Sequence, residues 1–247
     1  MGFVSYRYLP WEAFEKTLNS WSLKATIASQ TNDYFEFMPA DTTLLFKAGK
    51  NKLERDNKAL LCFSRLMSNC AMWGHYADQY RGVCMAFYFP DNYGLKEVQY
   101  EQNRVDLNDD GADINLMITK DISWQYEKEH RLILDVESAT VVSNGMLFYR
   151  DPMQYFIGVI IGPKCPYSVG YVRAMIKHYK KKNKVTDKPN MSSKVVVEKG
   201  VPHVKLFSIA CEFWKDTLKE GDLKKAGLLH SPCSPLKKIW RLLTCWI

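Results

Sequence analysis

The stretch "WQYEKEHRLIL", residues 124–134, opens by alternating polar with apolar side chains and closes as an apolar run rich in β-formers. That pattern predicts a strand. Side chains two apart on a strand share a face and stand roughly 6.6 Å apart. The strand would therefore line Glu127, Glu129 and Arg131 along one face. Two carboxylates at that spacing repel by roughly 2.5 kcal/mol at an effective dielectric of about 20, and by less than ~1 kcal/mol in water. On an open surface this is trivial. In a cleft it must be offset, and Arg131 is next in line to do so. Two arrangements fit: a solvated charge ladder, or a cleft wall where one carboxylate acts and the other positions a ligand hydroxyl. Trp124 and Tyr126 favour the cleft, since aromatic groups beside charges often flank ligands.

Working outward, strands dominate on both sides. "FVSYRYL" (3–9), "LKATIAS" (23–29), "ALLCFS" (59–64), "RGVCMAFYF" (81–89) and "KEVQYEQ" (96–102) all have strand character. "FIGVIIGP" (156–163) is continuously apolar, which suits the centre of a sheet. "KVVVEK" and "VKLFSI", joined around "GVPH", predict a hairpin. Helices are expected after Pro10, at 40–59, at 67–80 with Ser68 or Asn69 as N-cap, and at 168–184, where the basic last turn suits the helix dipole. Residues 103–115 read as a loop. No βαβ alternation of a doubly wound fold is visible. The expected fold class is α+β: one domain over 1–210, with a mainly antiparallel mixed sheet flanked by helices, and a helical C-terminal extension over 211–247.

Composition bounds the function classes. The chain has 247 residues, 47% of them apolar and 25% charged, which is globular and not disordered. The 7 cysteines are widely spaced and no C-x-x-C occurs, so neither a zinc ribbon nor a thioredoxin-type site is expected, and no metal. There is no visible signal peptide and no membrane-length apolar run, so the expected location is cytoplasmic. Net charge is +7, with Lys177, Lys180, Lys181, Lys182, Lys184 and Lys188 clustered. That run suits a nucleic acid, an acidic partner or plain solvation.

Three further stretches could carry chemistry. "MWGHYADQY" places His75 and Asp78 three apart on one helical face, beside Trp73, Tyr76 and Tyr80. Such a helix either packs as core with satisfied polar groups or lines a site. In "YRY" (6–8), Arg7 sits between aromatics on an early strand, where a guanidinium needs an anion, either a protein carboxylate or a ligand phosphate. In "TNDYFE" (31–36), Asn32, Asp33 and Glu36 either cap a helix or join a site. No phosphate-binding glycine loop, zinc-protease helix or nucleophile elbow is present.

The order "YRY", "NDYFE", "LLCFSRLMSNCAMWGHYADQYRGVCMAF", "WQYEKEHRLI", "IGVIIGP" resembles the bacterial family named domain of unknown function 2971, across residues 3–165 and onward to the hairpin near 210. Tyr34 and Tyr80 depart from its pattern, which has Pro and His there. The resemblance implies that Arg7, Asn32, Asp33, Glu36, Trp73, His75, Tyr76, Asp78, Glu127, Glu129 and Arg131 belong to one active site.

A looser similarity in layout, to ADP-ribosyltransferases, implies an NAD-using enzyme, with a setting in bacterial stress or antiviral phage defence. There Arg7 would hold the NAD pyrophosphate, and Tyr76 or Trp73 would stack on nicotinamide. Glu129 would stabilise the charge growing on the ribose, while Glu127 would bind the ribose or the acceptor. His75 joins the catalytic candidates, and Asp78, Arg131 and Asn32 join those for the cofactor. Two alternatives stand beside this enzyme. One is a nucleic-acid binder or nuclease acting through Lys177–Lys188. The other is a non-enzymatic sensor whose segment 236–247, "LKKIWRLLTCWI", meets a partner or a membrane surface.

Overall fold

The computed structural model describes residues 2–27, 31, 33, 35–37, 40, 57–105, 112–143, 145–186, 195–202 and 209–210. The expected C-terminal extension, Asn32, Lys188, nearly all of the helix expected at 40–59 and most of "VKLFSI" lie outside them.

In chain order the strands are β1 (Gly2–Leu9), β2 (Leu23–Ile27), β3 (Lys58–Ser64), β4 (Val83–Pro90), β5 (Lys96–Glu97), β6 (Gln99–Glu101), β7 (Thr119–Asp121), β8 (Glu129–Asp135), β9 (Val141–Ser143), β10 (Met146–Tyr149), β11 (Phe156–Ile161), β12 (Val196–Lys199), β13 (Val201–Pro202) and β14 (Ile209–Ala210). The α-helices are α1 (Trp11–Ser20), α2 (Cys70–Tyr76), α3 (Ala112–Ile118) and α4 (Val169–Lys182). One sheet runs β12-β11-β4-β1-β3-β2-β10-β9, with β8 also paired to β3 and β5 to β8. Its pairs are antiparallel except β11 with β12. The fold is α+β with a mostly antiparallel mixed sheet.

Val196 to Lys199, in "KVVVEK", lie parallel to Gly158 to Ile161. Of the hairpin expected around "GVPH", Val201 and Pro202 pair antiparallel with Ala210 and Ile209, and most of "VKLFSI" lies outside the described residues. A parallel neighbour needs a crossover. Helix α4 supplies it, burying Val172 and Ile176.

Strand β3 decides the two faces. Ala59, Leu61 and Phe63 enter the larger core with Phe14, Leu18, Val83, Met85 and Phe87. Leu60 and half-buried Cys62 point the other way, with Phe37, Leu116 and Met117. On β1 that other face carries Tyr6 and Tyr8, packed on Trp73 and Met72.

One edge of β3 is wholly occupied by β8, from Lys58 opposite Asp135 to Ser64 opposite Glu129. Its other edge is divided: β2 pairs at Ala59 and Leu60, β1 only at Ser64. Where β1 and β2 part, Arg7 donates from Nη2 to the carbonyl of Lys24 at 2.6 Å, with its guanidinium 5.9 Å from the Phe63 ring centre.

Helix α2 is shorter than the sequence suggested. Asn69 is its N-cap, accepting from the Ala71 and Met72 amides. The chain then leaves the helix through left-handed Asp78, Gln79 and Tyr80. This tight exit sets Tyr80 against β4 and β11. A Cβ at Gly162 would stand 2.2 Å from the Tyr80 carbonyl oxygen, and one at Gly82 would stand 2.1 Å from that of Leu9.

Candidate functional site

The opening stretch does not form one strand. Asp121 caps a 3-10 helix over Ile122–Glu127 by accepting from the Ser123 amide, and Lys128 is left-handed (φ 44°). Strand β8 begins only at Glu129. Glu127 and Glu129 therefore do not share a strand face; they approach one another across a turn. The turn still brings them together, because both reach Lys120 on β7.

Lys120 Nζ lies 2.7 Å from Glu127 Oε2, 3.4 Å from Glu129 Oε2 and 4.0 Å from Glu36 Oε1. Trp124 covers it, with the ammonium 4.7 Å from the ring centre. Arg131 bonds the same group from the other side. Its Nε meets Glu129 Oε1 at 2.8 Å and its Nη2 meets Oε2 at 3.0 Å. Nη1 donates to the Met117 carbonyl at 2.7 Å, and Nη2 also pairs with Glu36. Tyr76 donates to Glu127 Oε1 at 2.5 Å. The Glu129 amide donates to the Tyr100 hydroxyl at 2.7 Å.

All five charged side chains are at most 6% exposed. Burying charges costs several kcal/mol per ion, roughly, unless every lone pair and proton finds a partner. The partners are present, but the signs do not balance: Glu36, Glu127 and Glu129 face only Lys120 and Arg131.

Titration follows that imbalance. Burial alone would raise Glu129, but Arg131 and then Lys120 hold it down to about 2. Burial would lower Lys120, yet Glu129, Glu36 and Glu127 keep it above the ordinary lysine value. Glu36 goes the opposite way: burial lifts its carboxyl above the usual range despite Arg131 and Lys120. Burial also lifts the Cys62 thiol far from a reactive thiolate. Among the described residues no group of His, Cys, Asp and Glu is arranged to hold a metal ion. Among the three glutamates, the Lys120 ammonium already occupies the position a cation would take.

A cavity of about 260 Å³ opens against this cluster. Glu36 and Lys120 form its inner wall, with Asp33, Glu101, Arg104 and Asp121 around it and Phe35 among its apolar lining. It is close to the low end of small-ligand sites, roughly 300 Å³.

Of the residues the sequence singled out, the structure brings together Glu36, Tyr76, Glu127, Glu129 and Arg131. Arg7 is not among them. Ser64 pairs with both Tyr6 and Glu129, which puts Tyr6 and Glu129 on one face and Arg7 on the other. Trp73 is fully buried, donating from Nε1 to the Met67 carbonyl, so it is core. His75 and Asp78 are exposed; Asp78 pairs with Arg81, two residues past the helix end. Lys177, Lys181 and Lys182 are exposed on α4.

Two site residues carried weak signals. Glu36 was marked in "TNDYFE" only as one of three polar residues that either cap a helix or join a site. Lys120 is a single lysine after the apolar run "NLMIT", with no periodicity to mark it as buried. No protein-family model, curated protein or solved structure matches the chain.

Proposed function

We propose that the chain is an enzyme acting on a small polar substrate in the Glu36–Lys120 cavity, and that its reaction is transfer or hydrolysis at the glycosidic bond of NAD. The observation that carries this reading is the surplus of buried carboxylate beside an open cavity. A fixed negative field stabilises positive charge that exists mainly in the transition state. Cleavage of the bond between nicotinamide N1 and ribose C1′ develops such charge. The bonding pair leaves with nicotinamide, and a nucleophile closes on C1′.

The reacting carboxylate is assigned to Glu36. It lines the cavity, and its Oε2 makes no hydrogen bond among the described residues. Its raised pKa suits acceptance of the nucleophile's proton. Glu129 is too fully engaged by Arg131 and Lys120 to do this, and it does not line the cavity. Its part is to hold Arg131 and Lys120 in place. Tyr76 and Lys120 orient Glu127. The pyrophosphate has no counterpart in Arg7, which lies on the other face of the sheet.

The experiment is nicotinamide release from NAD by the wild-type chain and by Glu36→Gln. Release by the former, reduced by roughly 100-fold or more in the latter, is expected for loss of a general base. No release by the wild type, or equal release by both, removes the proposal.

A further inference from the structure

We infer that the group seated in the Glu36–Lys120 cavity is an organic cation. This rests on the same site as the proposed function but not on its chemistry. The cavity lining carries Asp33, Glu36, Glu101 and Asp121 against Arg104 and Lys120, and Lys120 is already claimed by Glu127 and Glu129. With the cluster behind it, six carboxylates face three cations. The whole chain has a formal net charge of +7, so the sign here is locally reversed.

Three features show that this is more than an acidic surface. First, Glu101 and Asp121 are registered directly opposite one another on the parallel pair β6–β7. Like charges on facing positions of neighbouring strands repel. Asp121 cannot readily relieve this by taking a proton, since hydrogen bonds from Ser123 hold its pKa below the usual aspartate value.

Second, the Glu36 side chain is only 2% exposed, yet one of its oxygens makes no hydrogen bond among the described residues, and Glu36 lines the cavity. A carboxylate on a cavity wall, anchored through its other oxygen by Arg131, is suited to accept from an N–H donor or to face a positive ring. Third, Phe35 lies in the lining and is 60% exposed. An aromatic face beside carboxylates is a common seat for an organic cation. A pyrophosphate would meet the opposite field.

The cation has two sources that share this chemistry: the pyridinium ring of the NAD donor itself, or an ammonium or guanidinium on a separate acceptor. Isothermal titration of the full chain with 1-methylnicotinamide, agmatine and inorganic pyrophosphate separates them. Saturable binding of at least one cation is expected, weakened roughly fivefold in Glu101→Gln and weakened further as salt rises. Tighter 1-methylnicotinamide identifies the donor ring, and tighter agmatine identifies the acceptor. Binding of neither cation, a Glu101→Gln chain that binds as wild type does, or tighter binding of pyrophosphate overturns the inference. Because the readout needs no NAD turnover, cation binding without nicotinamide release would discard the reaction and keep the site. Release without cation binding would do the reverse.

Discussion

Arg131 grips Glu129 two residues before it on the same strand, Nε to Oε1 at 2.8 Å and Nη2 to Oε2 at 3.0 Å. That two-point contact fixes the carboxylate's plane and leaves Lys120 to meet its flank. The residue that stood out most in the sequence is thereby held as an anchor, and the proposed reaction is assigned to Glu36, one ion pair outward.

Removal of one partner should expose the cost of that anchor. Arg131→Met strands Glu129 and Glu36 without their guanidinium and is expected to destabilise the chain by about 3–5 kcal/mol. Replacing the pair together, as Arg131→Met with Glu129→Leu, should cost less than the single change. Urea unfolding of the wild type and both variants checks this; equal losses for single and double variants would mean the charges do not act as a pair.

Acid should unfold the chain in two stages. Burial, and then Arg65, lowers His130 to about 4, and its Nδ1 is buried without a partner. The unfolded histidine, near pH 6.5, binds its proton first. The stability tied to neutral His130 is therefore fully present above pH 6.5 and is lost as pH falls through 4. Glu129, held near 2, contributes stability above the ordinary carboxyl range, lost as pH falls towards 2. Guanidinium unfolding from pH 7 to pH 3 should show both declines. His130→Phe should flatten the upper one alone.

The Gly82 contact is testable without reference to function. A methyl group there meets the Leu9 carbonyl at 2.1 Å, where strands β1 and β4 leave no room. Gly82→Ala should cost at least about 1–3 kcal/mol, the range for overpacking. By contrast, a Cβ at Gly74, on helix α2, would meet nothing within 4 Å beyond its chain neighbours and the helix's own backbone, so Gly74→Ala should be neutral or stabilising by up to ~1 kcal/mol. Thermal melts of the two variants would rank them.

Tyr76→Phe removes the hydroxyl that Glu127 accepts at 2.5 Å. A hydrogen bond to a charged group is worth about 1.5–3 kcal/mol, and a drop of that size is expected. A melt unchanged from wild type would show that Glu127 is held by Lys120 alone.

The fold was legible where side chains announce their own environment. The apolar run at 156–161 is a central strand, and the pattern at 83–90 is another. Asn69 was visible as a cap because its side chain bonds locally. The parallel placement of β12 was not, since it depends on what α4 packs against. The same divide runs through the site. Glu127, Glu129 and Arg131 were marked by their spacing, but the two glutamates meet at Lys120, which the sequence offers as an ordinary lysine. Arg7 looked like a ligand-holding group because an arginine between aromatics needs a partner. Its partner is the backbone of Lys24, a contact between strands that no local pattern encodes.

The most direct test compares nicotinamide release by Glu36→Gln and Arg7→Met, each measured where circular dichroism shows the chain folded. The two residues lie on opposite faces of the sheet. If the site is the Glu36–Lys120 cavity, Glu36→Gln falls by roughly 100-fold or more and Arg7→Met stays within about threefold of wild type. Full activity in Glu36→Gln with loss in Arg7→Met would place the chemistry on the opposite face of the sheet and contradict the account.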